Sequence, residues 1–253
     1  MAGYMAFGEV YDTLIADVDY NAWATYILKL FDRFGTKPVG SILDLACGTG
    51  NLTEQLLQRG YEVVAVDGSD TMLMAATEKC APFGEKCMLL CQDMRQLDLF
   101  GTVDGAVCML DSINHLTDTA DIAAVFSKLG LFIEKDGLLI FDVNTIYKHQ
   151  EVLGDNTFVY DTEDCFCVWQ NRFVKHTNES VMTLDFFVQD GDGYVRYCED
   201  IRERAYAVST LQKLLKTAGF EVLAVYNEQT FDTPTANAER VVFVAKNTGV
   251  YQK

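Results

Sequence analysis

Short apolar runs alternate with longer amphipathic stretches between residues 41 and 143. The apolar runs predict strands at 41–46, 61–66, 87–91, 103–109 and 137–143. Residues 63–66 are apolar on both faces, which is typical of a parallel sheet covered by helices on both sides. The intervening stretches predict helices at 51–59, 70–80 and 119–133, and an amphipathic helix at 20–34 precedes the first strand. This alternation predicts a doubly wound α/β domain.

The pattern changes after residue 146. Met182, Leu184, Phe186 and Val188 occupy alternate positions, which is the period of a half-buried strand, and the polar, glycine-containing segment 189–193 predicts a turn. Three or four antiparallel strands are predicted from the segments 157–161, 166–174, 181–189 and 194–199, and no helix is predicted in this region. We interpret the region as an antiparallel sheet inserted into the main one.

A glycine-containing turn follows the first predicted strand. Residues 43–51 read Leu-Asp-Leu-Ala-Cys-Gly-Thr-Gly-Asn, and the second apolar run ends at Asp67, 19 residues after Gly48. Such a turn lets the backbone approach a nucleoside, and a carboxylate at the end of the next strand can bind the ribose hydroxyls. The sequence therefore predicts an adenosine-type cofactor.

The chemistry of the turn discriminates between such cofactors. A dinucleotide fingerprint has a third glycine, but that place holds Thr53 when counted from Gly48 and Asn51 when counted from Ala46. No Gly-Lys-Ser/Thr sequence follows, so a P-loop is not predicted either. Asp44 suits an ammonium group better than a pyrophosphate. A ligand with an adenosine end and a cationic amino-acid end, S-adenosylmethionine, fits best.

These residues resemble the motifs of a known family. Residues 43–50 are similar to the first motif of the class I S-adenosylmethionine-dependent methyltransferases, Asp67 resembles their ribose-binding acid, and residues 92–94 resemble the segment that holds the adenine amino group. The resemblance covers most of 41–145 and, more weakly, 206–246. It implies a Rossmann-like fold, with a doubly wound, mostly parallel seven-stranded sheet that ends in an antiparallel hairpin.

Three segments are predicted on this basis. Residues 1–145 hold the N-terminal cap helix and the S-adenosylmethionine-binding half, residues 146–204 form the inserted antiparallel sheet as a lid over the acceptor, and residues 205–253 complete the core sheet. In the last segment a helix is predicted at 208–218 and strands at 220–226 and 239–246. We expect one domain with a small subdomain.

The resemblance also implies roles for individual residues. Asp44 is expected to bind the methionyl ammonium, Asp67 both ribose hydroxyls, and Asp93 the adenine amino group. Methionine side chains are expected to flank the adenine, and aromatic side chains of a cap that includes segment 4–14 to face the sulfonium; core packing is an equal alternative for Trp23 and the methionines. The predicted cofactor-binding residues are Tyr11, Trp23, Asp44, Ala46, Gly48, Gly50, Asp67, Gly68, Met72, Asp93, Met94 and Leu110.

The acceptor side is expected at the same edge of the sheet, after the fourth and fifth strands. The candidate catalytic residues are Asp111, His115 and Tyr147, with Asn114 beside them. His115 has the pKa range of a base, although a single histidine after a strand is more often structural. Three residues of the insert, Tyr160, Trp169 and Arg202, either line the acceptor pocket or serve in packing.

The charge and composition of the chain argue against several classes of binding partner. The chain of 253 residues has 37 acidic and 20 basic residues, for a net charge of −17, which argues against a nucleic-acid substrate. With 3 histidines, and 8 cysteines without any Cys-x-x-Cys pair, no metal site is predicted. No apolar run approaches the roughly 18 residues that span a bilayer. We expect a cytoplasmic protein with reduced thiols that does not bind membranes.

Methyl transfer to N or O of a small molecule is the favoured interpretation. An NAD-dependent oxidoreductase shares the strand-end carboxylate, but Thr53 counts against it. A module that binds S-adenosylmethionine without turnover, and a methyltransferase acting on RNA or protein, stay open as alternatives. The sequence leaves the oligomeric state and the identity of the acceptor open.

Overall fold

The computed structural model describes residues 11–12, 15–162 and 165–250. No helix among them has both the length and the apolarity needed to cross a bilayer. The α-helices are α1 (Tyr20–Phe34), α2 (Asn51–Gln58), α3 (Asp70–Cys80), α4 (Thr119–Phe132) and α5 (Val208–Thr217). The strands are β1 (Ser41–Leu45), β2 (Glu62–Asp67), β3 (Cys87–Cys91), β4 (Val103–Cys108), β5 (Ile133–Asn144), β6 (Thr157–Asp161), β7 (Cys165–Val174), β8 (Glu179–Asp190), β9 (Gly193–Arg204), β10 (Phe220–Asn227) and β11 (Arg240–Asn247).

Seven strands form the main sheet, in the order β10-β11-β5-β4-β1-β2-β3. Strands β1 to β5 pair in parallel, whereas β11 runs antiparallel to both β5 and β10. The order reverses beside β1, so the carboxyl ends of β1 and β4 border a crevice at the switch point. The predicted doubly wound sheet with an antiparallel hairpin is confirmed.

Apolar side chains cover both faces of this sheet. In β5, Phe141 packs on one face against Phe126 of α4 and Phe243 of β11, and its ring is 4.7 Å from that of Phe243. The neighbouring Ile140 belongs to the opposite face, where α1 and α2 pack. A side chain at Gly105 of β4 would collide with the ring of Phe31, so this glycine lets α1 approach the sheet. Burial on both faces explains the continuous apolar runs of the central strands.

A second, four-stranded sheet has the order β6-β7-β8-β9 and is antiparallel throughout. Its four strands were predicted, but β8 and β9 are longer than the alternating pattern indicated. Strand β9, predicted to end at 199, continues to Arg204, which pairs with Glu179 of β8. The added pairing satisfies backbone N–H and C=O groups, and this requirement leaves no mark in the pattern of apolar and polar side chains.

The prediction that residues 146–200 contain no helix was wrong in one place. Lys148–Leu153 form a π-helical turn between the two sheets. The Thr145 hydroxyl accepts the Lys148 N–H at 3.1 Å, and Gly154, at a φ of 46°, ends the turn by donating its N–H to the His149 carbonyl. A single helical turn fixed by local hydrogen bonds is too short to show a helical period.

Candidate active site

The turn after β1 has a left-handed backbone. Ala46, Gly48 and Gly50 have φ values of 60°, 55° and 79°, which glycine adopts without strain and alanine does not. A side chain at Gly48 would meet no atom within 4 Å, whereas one at Gly50 would lie 2.9 Å from Ala76 of α3. Gly48 therefore leaves open space beside the turn, and Gly50 permits close packing of α2 and α3.

Asp67 connects this turn to the next one. At the end of β2, its Oδ2 accepts the Gly48 N–H at 2.9 Å and its Oδ1 accepts the Ser69 N–H at 2.8 Å. Both bonds fix the carboxylate at the carboxyl edge of the sheet. A fixed carboxylate beside open glycine backbone is the arrangement that suits a ribose.

A cleft of about 640 Å³ opens at this edge, between the main sheet and the inserted sheet. Four of the predicted residues line it from the first two turns: Ala46, Gly48, Asp67 and Gly68. Four more line it from other elements: Tyr11, Met72, Met94 and Leu110. Phe186 and Tyr197 of the inserted sheet close its far side. The structure thus brings eight of the twelve predicted cofactor-binding residues into one cleft.

A smaller cavity of about 50 Å³ adjoins the turn and includes Asp44 and Trp23. Tyr11, Ala46, Gly48 and Leu110 line this cavity as well as the cleft. Asp44 is 2% exposed, and its Oδ2 accepts the Thr53 hydroxyl at 2.5 Å. Burial raises the pKa of Asp44 to about 6, although the hydrogen bond from Thr53 acts to lower it. A buried carboxylate beside the turn suits a ligand ammonium group.

Two predicted cofactor residues lie outside both cavities. Gly50 packs on Ala76, and Asp93 caps the short 3-10 turn Met94–Gln96 by accepting the Arg95 N–H at 2.9 Å. The Arg95 guanidinium bonds the same carboxylate and holds its pKa below the usual range. The adenine-binding role of Asp93 stays a prediction, and it requires this carboxylate to share its oxygens with Arg95.

Of the predicted cap segment 4–14, only Tyr11 and Asp12 belong to the described residues; Tyr4 and the others lie outside them. Asp12 Oδ1 accepts the Thr49 hydroxyl at 2.6 Å, and its Oδ2 pairs with the Lys79 ammonium at 2.6 Å. These bonds tie Asp12 to Thr49 in the turn after β1 and to Lys79 in α3, and the neighbouring Tyr11 lines the cleft.

A third cavity, of about 260 Å³, lies next to the cleft under the inserted sheet. Tyr11, Leu110, His115 and Ile201 line both spaces, so the two adjoin. Of the residues predicted for an acceptor pocket, Asp111, His115, Tyr160 and Trp169 line the third cavity. Three other predicted residues are described by the structure but do not line this cavity: Tyr147, the exposed Arg202 and the buried Asn114. The side-chain amide of Asn114 donates a hydrogen bond to the Arg204 carbonyl at 2.9 Å.

Buried charged side chains stabilise the backbone turn that borders this cavity. Leu110 and Asp111 have φ values of 57° and 56°, and their N–H groups donate to Asp142 at 2.5 and 3.1 Å. Arg240 pairs with Asp142 and with Asp111, the latter at 2.7 Å. Asp142 is fully buried and Arg240 is 7% exposed. The ion pairs therefore maintain a strained turn at the junction of the two cavities.

Sequence reasoning missed Glu203, which is 4% exposed and lines the third cavity. Its two carboxylate oxygens lie 3.6 Å from His115 Nε2 and 3.5 Å from His149 Nε2. His149 Nδ1 is in turn 2.8 Å from the Ser180 hydroxyl. Burial lowers the pKa of His149 to about 4, so this ring is neutral at pH 7. Burial also raises the pKa of Glu203 well above its usual value, and Asp111 adds to this effect.

Asp111, His115 and Glu203 have ligand atoms within 4.8 Å of one another, a set that could hold a metal ion. No metal was predicted from the sequence, because its three histidines are widely separated and its cysteines form no Cys-x-x-Cys pair. Arg240 already pairs with the Asp111 carboxylate, and Lys148 lines the same cavity. These two cations oppose a metal ion at this position.

Comparison with known proteins agrees with this geometry. A family described as "Methyltransferase domain" matches residues 42–137. The Bacillus subtilis methyltransferase YqeM is 33% identical over 244 residues, with 96% of each chain covered. A glycine/sarcosine/dimethylglycine N-methyltransferase of Actinopolyspora halophila is 32% identical over 205 residues, which are 78% of this chain and 34% of that protein.

Among solved structures, an S-adenosylmethionine-dependent methyltransferase from Clostridium acetobutylicum superposes with a TM-score of 0.87 at 36% identity. The match covers 96% of this chain and 98% of that one. The similarity extends over the inserted sheet as well as the cofactor half. By sequence and by fold, the chain belongs to the class I S-adenosylmethionine-dependent methyltransferases.

Proposed function

We propose that the protein transfers the methyl group of S-adenosylmethionine to a nitrogen or oxygen atom of a small molecule bound in the 260 Å³ cavity. The observation that carries this proposal is the shared wall: Tyr11, Leu110 and His115 face both the cleft and the cavity. Reactants in two adjoining spaces can be aligned, and alignment alone contributes about 7–11 kcal/mol to such reactions. S-adenosylmethionine supplies an activated methyl group when bound, so the protein mainly binds, orients and excludes water.

The cleft residues fit the cofactor by charge and shape. We assign the ribose hydroxyls to Asp67, the methionyl ammonium to Asp44, and the sides of the adenine to Met72 and Met94. Tyr11 lies where the cleft, the small cavity and the acceptor cavity meet, and we assign its aromatic ring to the sulfonium end of the cofactor.

On the acceptor side we assign proton transfer to His115. It lines both spaces, and its side chain is 48% exposed, so it can exchange protons with solvent. Asp111 is bound to Arg240 and acts as a positioning residue that holds the turn beneath the acceptor. A role for Tyr147 requires a movement of the turn at Lys148–Leu153, because Tyr147 lies outside the cavity lining.

Cavity size and charge support a small acceptor. Small-molecule sites are concave and mostly apolar, with a few polar groups, as this cavity is. The net charge of −17 repels polyphosphate. The name of the Actinopolyspora relative, an N-methyltransferase of glycine and its methylated forms, favours nitrogen over oxygen.

The experiment supplies S-adenosylmethionine with a labelled methyl group to the protein and a cell extract that has been fractionated into small molecules, RNA and protein. We expect the label in the small-molecule fraction. Label confined to RNA or protein would contradict the proposed acceptor, and binding of cofactor without transfer to any fraction would indicate a non-catalytic module.

The assignment of Asp44 predicts a pH dependence of cofactor binding. The native pKa of about 6 exceeds the ordinary value of 3.8, so between these values the folded protein holds a proton that the unfolded chain has lost. The free energy of unfolding therefore falls as the pH rises from about 4 to about 6. A ligand ammonium favours the ionised carboxylate. Binding of S-adenosylhomocysteine is expected to release a proton and to strengthen as the pH rises through about 6.

Calorimetry in two buffers of different ionisation enthalpy measures this proton release. The matched control is Asp44→Asn, which keeps the shape and removes the titration. Equal proton release by the wild type and by Asp44→Asn would exclude Asp44 as the titrating group.

A further inference from the structure

Buried polar atoms without hydrogen-bond partners concentrate at the acceptor cavity. Among the described residues, five buried side-chain N or O atoms have no partner. Three of these, Asn144 Oδ1, Trp169 Nε1 and Glu203 Oε2, belong to residues that line the 260 Å³ cavity. A fourth, His149 Nε2, lies 3.5 Å from Glu203 Oε2. Leaving such atoms unpaired is destabilising, so their concentration indicates groups that a ligand satisfies.

The unpaired acceptors specify the charge of that ligand. Asn144 Oδ1 and Glu203 Oε2 both accept hydrogen bonds, and one of them carries negative charge when ionised. Burial and Asp111 disfavour this charge, whereas Arg240, Lys148 and the Asn144 amide favour it. Of the histidines that face Glu203, His149 is neutral at pH 7. A ligand that brings its own positive charge and N–H donors satisfies both oxygens at once.

The walls suit the same kind of ligand. Tyr160 and Trp169 stack with their ring centroids 6.3 Å apart, and both rings line the cavity. Met182 and Leu184 add apolar surface. Aromatic faces attract alkylammonium groups, with or without methyl substituents, most strongly where water is excluded. This combination of rings and a buried carboxylate suits both an amine and its methylated product.

We propose that the acceptor enters this cavity as an aliphatic ammonium ion, with its N–H groups donating to Glu203 Oε2 and Asn144 Oδ1. This inference rests on the proposed function and specifies its acceptor class as an amine. An ammonium nitrogen has no free electron pair, so one proton leaves it first. The Glu203 carboxylate receives that proton and passes it to His115, whose Nε2 lies 3.6 Å from Glu203 Oε1. The freed electron pair of the amine then forms the N–CH3 bond as the S–CH3 bond of the donor breaks.

The test measures binding of three probes that share one carbon skeleton, n-butylammonium, 1-butanol and butyrate, to the full chain loaded with S-adenosylhomocysteine. Calorimetry of S-adenosylhomocysteine alone comes first: absence of its binding would refute the proposed function itself. With that ligand bound, the wild type is expected to prefer n-butylammonium over 1-butanol by roughly tenfold or more, and to reject butyrate. Equal binding of the three probes would overturn the inference.

The preference is expected to disappear in Glu203→Gln, which keeps the side-chain shape. It should persist in Asp200→Asn, which removes an acid of the same sign from an exposed position on the same strand. A preference that survives in Glu203→Gln would overturn the assignment. The assignment would also be overturned if EDTA abolished the preference for n-butylammonium and a divalent cation restored it, because Glu203 would then hold a metal. The wild-type comparison stands even if the Glu203 variant fails to fold.

Discussion

Replacement of Asp67 by alanine is expected to weaken the binding of S-adenosylhomocysteine roughly 100-fold, or about 3 kcal/mol. Two effects combine. The variant loses the carboxylate assigned to the ribose hydroxyls, and charged hydrogen bonds of this kind contribute about 1.5–3 kcal/mol each. It also frees the Gly48 and Ser69 N–H groups, which Asp67 holds at 2.9 and 2.8 Å, so both turns lose their common anchor.

Calorimetric titration measures this loss, and Asp70→Ala is the control. Asp70 is an exposed acid in the first turn of α3, three residues away, and it lines none of the three cavities. Its removal should change the affinity by less than about threefold. A comparably small effect of Asp67→Ala would contradict the role assigned to the strand-end carboxylate.

Replacement of Arg240 by methionine is expected to lower the free energy of unfolding by about 3–5 kcal/mol. The guanidinium pairs with the fully buried Asp142 and with Asp111. Without it Asp142 and Asp111 lose the cation that pairs with both of them, and the turn at Leu110 and Asp111 loses its support. Urea denaturation followed by circular dichroism gives the free energy of unfolding.

Lys246→Met on the same strand is the matched control. Lys246 pairs with Glu221 at 2.9 Å near the surface, and such a pair contributes about 0–1 kcal/mol. Adding Asp142→Asn to Arg240→Met should recover part of the loss, because it removes one unpaired charge. A loss for Arg240→Met that is no larger than the loss for Lys246→Met would show that the buried ion pairs do not hold this turn.

The cofactor half could be predicted from sequence because its chemistry is local. Asp44, Gly48 and Asp67 sit at the ends of apolar strands within a stretch of 24 residues, and strand order brings those ends together. One local interaction was missed. From the sequence, Thr53 was used only as evidence against a third glycine at that place. In the folded protein its hydroxyl donates a hydrogen bond to Asp44.

The acceptor half was harder to predict because distant segments build it. Strand β9 is polar or exposed along most of its length, so no alternation marked Glu203 as buried. His149 lies on a single helical turn, and Arg240 was recognised only as the start of an apolar strand. Their partners, such as Ser180 for His149 and Asp111 for Arg240, are 31 and 129 residues away. Pairing at that separation leaves no periodic signal in a single sequence.

We expect the sulfur of the bound cofactor to face the acceptor cavity, with Leu110 at the boundary between the cleft and that cavity. A crystal structure of the protein with S-adenosylhomocysteine tests it most directly. We expect the ribose on Asp67, the amino-acid end beside Asp44, and the sulfur at the junction of the 640 Å³ cleft and the 260 Å³ cavity. A sulfur that points away from this junction, or a ligand bound outside the cleft, would contradict the account.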